Sequence, residues 1–187
     1  MRIFIRIINL LLFPAKEWAA IAEENNSRKK TFVQLAVPLL GVMAFATIFG
    51  TWLYTPRELY TVAYVVCRIL ILWTSLVAGL FLSAAVLTEI MAQKTGVKDH
   101  NKSFALMANS ASAAYIVIII VEFFPFIPEF LILALYSCYL FRLGMPKLIQ
   151  VEGQKQVGYG LLALVITALT HFVMFFLFGN IFRALLL

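Results

Sequence analysis

The residues of this chain that could do chemistry sit inside or at the edges of long apolar runs. Glu89 and Arg142 lie near the ends of two such runs, and Arg68 and Glu122 near the opposite ends. His171 falls near the middle of another run, one turn after Thr167 and beside Thr170. Asn109 and Ser112, with Ser110, interrupt an alanine-rich stretch. A polar group held in hydrocarbon is costly unless it is paired, so each of these is a candidate for ion pairing, proton relay or cation binding. Glu89 and Arg142 share a depth: either each simply reaches headgroup or water, or the two meet as an ion pair, with Asn109 and Ser112 completing a polar pocket beside them. The same logic sets Arg68 against Glu122. His171 would be neutral, held by a backbone carbonyl or by the hydroxyl of Tyr115 or Tyr136; the alternative is a proton-relay or cation-binding role.

Catalytic signatures are missing. The chain has no GxSxG, HExxH or CxxC, no phosphate-cradling glycine loop and no aspartate pair on one helix face. No catalytic residue, metal ligand or cofactor is therefore expected. Cys67 and Cys138 fall in different apolar runs and read as small core residues.

The elements that must position the polar groups follow from composition. Of 187 residues, 63% are hydrophobic and 13% charged, against about 45–50% and about 25% in ordinary globular domains. Mean hydropathy is +0.96. A water-soluble domain of this length could not hide so much apolar surface. The net charge of +6 lies between apolar runs rather than among base-stacking aromatics, so nucleic acid is not an expected partner.

The pattern predicts an all-α, polytopic membrane protein of five transmembrane helices, at about residues 32–54, 61–91, 104–124, 127–143 and 158–182. A run of about 20 apolar residues crosses a hydrocarbon layer of about 30 Å. The fourth span is the weakest; it must borrow residues before it and let Arg142 snorkel. Ahead of this domain (31–187), residues 1–30 read as a cytoplasmic segment that opens with an amphipathic interfacial helix. Ile3, Phe4, Ile7, Ile8 and Leu11 recur at helical spacing, with Arg2, Arg6 and Asn9 between them. Pro14 suits the first turn of a second helix. No signal-peptide cleavage site follows the first run.

Ser75, Gly79 and Ser83 repeat every four residues in span two. Such a stripe serves close helix packing, within the chain or in a homo-oligomer. In span three, the early part that carries Asn109, Ser110 and Ser112 should face protein and the later part, 116–121, lipid. Lysines and arginines total twelve on one side of the five crossings and three on the other. That bias places the N-terminus in the cytoplasm and the C-terminus outside, in the cell inner membrane.

NLLLFPAKEWAAIAEE at 9–24, Val37-Pro38-Leu39, the loop around Gly96 leading to Ser103-Phe104, and LYSCYLFRLGMPKL at 135–148 together resemble the Yip family, membrane proteins named for interaction with Ypt/Rab GTPases, and above all its bacterial branch. The resemblance implies five spans with a cytosolic N-terminus. It implies a non-enzymatic organiser of partners or lipids in the bilayer, acting with a protein partner that the sequence does not name. The Asp-Leu-Tyr-Gly-Pro type motif of eukaryotic members is absent, so Rab binding is not carried over. The alternative is a small oligomeric channel, transporter or lipid-handling protein that uses the intramembrane polar residues.

Overall fold

The computed structural model describes residues 2–57, 61–95 and 98–149, and, toward the C-terminus, residues 165, 168–170, 172–173, 175–177 and 179–181. Two short helices come first, α1 (Arg2–Leu12) and α2 (Pro14–Glu24). Pro14 occupies the first turn of α2, where no amide donor is needed. Asn25 closes α2 in the left-handed conformation, with φ of 41°. Ile7, Leu10, Trp18 and Ile21 are buried, so both helices pack on protein.

The first long helix runs from Arg28 to Tyr54 in three parts. A turn of α-helix, α3 (Arg28–Thr31), is capped by the Ser27 hydroxyl, which accepts from the Lys30 amide at 3.3 Å. A π-helical stretch, Phe32–Ala36, leads into α4 (Val37–Tyr54). The wider winding falls where Pro38 demands it. Proline has no N–H, and its ring clashes with the carbonyl four residues earlier. The Val37 amide therefore reaches back five residues to the Phe32 carbonyl, and the helix continues without a break.

Helix α5 (Val62–Thr95) and helix α6 (His100–Phe123) follow. Asp99 caps α6 by accepting from the amides of Asn101 and Lys102, both at 3.0 Å. The next span begins as a 3₁₀ helix, Pro128–Leu135, and becomes α7 (Tyr136–Leu148). A 3₁₀ helix rises about 2.0 Å per residue against about 1.5 Å in an α-helix, so the shortest span gains reach from its winding. The stretches Arg28–Tyr54, Val62–Gln93, His100–Phe123 and Pro128–Leu148 are all long and apolar enough to cross a membrane. The expected fifth span falls largely outside the described residues, although Ala168–Ile181 is a shorter apolar helix.

Helix α6 is the axis of the bundle, touching α1, α3, α4, α5 and α7. From Ser103 to Ser110 every side chain is buried, as the small and amide residues there suggest. Residues 116–121 are less lipid-exposed than expected: Val117 is buried and its neighbours are half-buried. Outward, the bundle presents Phe45, Trp52, Val62, Ile132 and Leu133, all large, apolar and exposed. Such a surface suits lipid and is a liability in water.

Candidate functional site

Toward the end of the bundle away from the lysine-rich loops, three helices converge on one carboxylate. Glu122 of α6 takes Arg68 of α5 through Nε and Nη2, each 3.1 Å from Oε2. The Thr47 hydroxyl of α4 lies 3.1 Å from the same oxygen and shares its one proton between it and the Met43 carbonyl of its own helix, at 2.9 Å. The Glu122 side chain is only 11% exposed and that of Arg68 32%. Sequence reasoning placed Arg68 and Glu122 at one depth but missed Thr47, a lone hydroxyl in an apolar run. It also missed Gly50, one turn further along α4. A Cβ there would sit on the Glu122 carbonyl oxygen and 3.0 Å from its carbon. Only a glycine lets α4 lie this close to α6.

The polar pocket at the lysine-rich end has other walls than expected. A cleft of about 520 Å³ is lined by Arg6, Glu24, Lys30, Gln34 and Asn109, among others. Arg6 of α1 is held by Glu17, at 3.3 Å, and by Glu24, while Asn9 donates to Glu17 at 3.0 Å. The N-terminal helix pair thus forms one wall. Asn109 is 2% exposed; its Nδ2 donates to the Ala105 carbonyl at 2.8 Å. Its Oδ1 has no donor among the described residues.

Glu89 and Arg142 do not take part. Glu89 is exposed and pairs with Lys98 at 2.6 Å, and Arg142 is exposed on α7. Equal depth leaves rotation about the helix axis open, and these two side chains leave the bundle. Ser112 is fully buried and donates to the Asn109 carbonyl at 2.6 Å, satisfied by its own helix. His171 lies outside the described residues. The two hydroxyls suggested for it each donate to backbone: Tyr115 to Leu76 at 3.3 Å and Tyr136 to Leu11 at 2.9 Å.

Ser75, Gly79 and Ser83 are all buried within the chain, with Ser75 and Ser83 donating to carbonyls one turn back. The stripe therefore serves packing inside the bundle and is not available to a second copy. A second, largely apolar cavity of about 550 Å³ lies between α5, α6, the 3₁₀ stretch and α7, with Ala168, Phe172 and Phe175 also in its wall beside Ser110, Ser137 and Glu122.

The N-terminal helices are fixed by two contacts that spacing alone did not reveal. Tyr136 bonds the end of α1, as above. On α7, a Cβ on Gly144 would lie 2.6 Å from Cε2 of Trp18 and 2.7 Å from Cδ1 of Leu106. Trp18 is fully buried there. Gly144→Ala should push Trp18 out of its seat, at a cost of about 1–3 kcal/mol. The indole emission should then shift toward that of an accessible tryptophan, with Trp52→Phe and Trp73→Phe removing the background. Unchanged emission would show that α2 does not rest on α7.

These features define a class: a helical bundle of membrane-spanning proportions, with a polar cleft at one end and an ion pair toward the other. Comparison with protein-family models, curated proteins and solved structures gives no match.

Proposed function

We propose that this chain is an integral membrane protein of the Yip-like class that organises partners in the inner membrane and catalyses no reaction. In this reading the N-terminus is cytoplasmic, five helices cross, and the C-terminus is outside. The twelve-to-three bias of lysine and arginine supports that orientation.

The observation that carries the reading is the N-terminal helix pair. One side of α1 puts Ile7 and Leu10 into the core, while Phe4, Ile5, Ile8 and Leu12 stay exposed. An apolar face on a helix that is clamped to the bundle suits insertion into the cytoplasmic leaflet or capture of a partner helix. The channel or transporter alternative draws less support, because the stripe that would bring copies together is buried inside the chain.

The test is in-cell cross-linking with the intact protein. A reproducible cross-linked partner is expected, and Ile5→Ser with Ile8→Ser should abolish its capture while leaving thermal stability within about 0.5 kcal/mol, since both positions are exposed. Capture that survives both substitutions would overturn the role of α1. Proton or ion flux through the purified protein in liposomes would overturn the organiser reading itself.

A further inference from the structure

The cleft at the lysine-rich end carries two unmet demands of opposite kind. Asn109 is almost wholly buried, and its amide nitrogen is already committed to the Ala105 carbonyl. Its Oδ1 therefore needs a donor, and none is found among the described residues. A buried acceptor left unpaired costs about 1–3 kcal/mol, which a donor brought by a ligand recovers. Lys30 is the second demand. Arg6 is matched by Glu17 and Glu24, but no carboxylate pairs with Lys30 among the described residues. The charged side chains lining the cleft are Arg6, Lys30 and Glu24; with Glu17, which also holds Arg6, the charges balance in number, and Lys30 is the cation left without a paired carboxylate among the described residues.

We propose that this cleft binds an anionic phosphodiester bearing an O–H or N–H donor, with the phosphate at Lys30 and the donor at Asn109 Oδ1. Gln34 and Arg6, also in the wall, offer further donors to the phosphate oxygens. Lys30 enters the wall from the end of the run Arg28-Lys29-Lys30, where polar chain gives way to apolar helix. Phospholipid headgroups of the glycerol or ethanolamine type carry this chemistry, as do their soluble deacylated forms. A phosphatidylmethanol headgroup is an anionic phosphodiester with no donor, so it meets only half of the demand. The proposal is independent of partner capture: headgroup preference and cross-linking are separate readouts, and either can fail alone.

The experiment is native mass spectrometry of the intact, detergent-solubilised protein with added phosphatidylglycerol or phosphatidylmethanol, two anionic phosphodiesters that differ in the donor. Phosphatidylglycerol should be retained about tenfold better, the worth of one hydrogen bond to a buried acceptor. Asn109→Leu, close in volume, should erase that preference. Lys30→Gln should weaken both lipids, whereas Lys29→Gln, outside the cleft wall, should change neither. Both lysines are exposed, so these variants keep the test valid even if Asn109→Leu fails to fold. Displacement by glycerophosphoglycerol would assign the site to a soluble phosphodiester; resistance to displacement would assign it to the lipid. Equal retention of the two lipids, or a preference that survives Asn109→Leu, would overturn the proposal.

Discussion

Gly50→Ala should unseat α4 from α6 and cost about 3 kcal/mol or more, at or above the top of the usual range for overpacking. The added methyl meets the Glu122 carbonyl, which is backbone and cannot rotate away. Relief requires α4 and α6 to separate, which also draws Thr47 off the Glu122 carboxylate. Gly41, in the same helix, is the internal control, because a Cβ there meets nothing within 4 Å. Gly41→Ala should be neutral or stabilising by up to about 1 kcal/mol, the ordinary gain of alanine over glycine in a helix. Reversible unfolding in mixed micelles reads both variants. Equal stability for the two would mean that α4 and α6 do not approach as described.

The second large effect belongs to the ion pair. Glu122→Ala leaves the Arg68 guanidinium in a partly buried position without its carboxylate, and should cost about 3–5 kcal/mol. Arg68→Met with Glu122→Met should cost far less than the sum of the single changes, because no charge is then stranded. Thr47→Val removes one hydrogen bond and should cost about 1 kcal/mol. Additive single and double variants in the same unfolding assay would show that Arg68 and Glu122 act independently.

The sequence carried depth well and rotation poorly. The four long apolar stretches, the protein-facing start of α6 and the shared depth of Arg68 and Glu122 were all legible from periodicity and charge position. Each depends only on distance along a helix. Depth left two outcomes open for Glu89, because its partner depends on which way the helix faces; it is exposed and pairs with Lys98 rather than Arg142. The cleft was half legible. Asn109 stood out as an amide among alanines, but its neighbours Arg6 and Glu24 come from helices whose docking rests on Gly144 and Tyr136, far away in the chain. The π-helical stretch was signalled only by Pro38, which announces a disturbance without stating its form.

The bond from Tyr136 to Leu11 joins residues 125 positions apart. A ribosome adding about 5–20 residues per second leaves roughly 6–25 seconds between the appearance of these two partners. Through that interval α1 and α2 lack their seat on α7, because Gly144 and Tyr136 do not yet exist; α6, which α1 also touches, is made sooner. The first helices made are thus among the last to settle fully, and their greasy sides stay open to chaperones and proteases until α7 has been made.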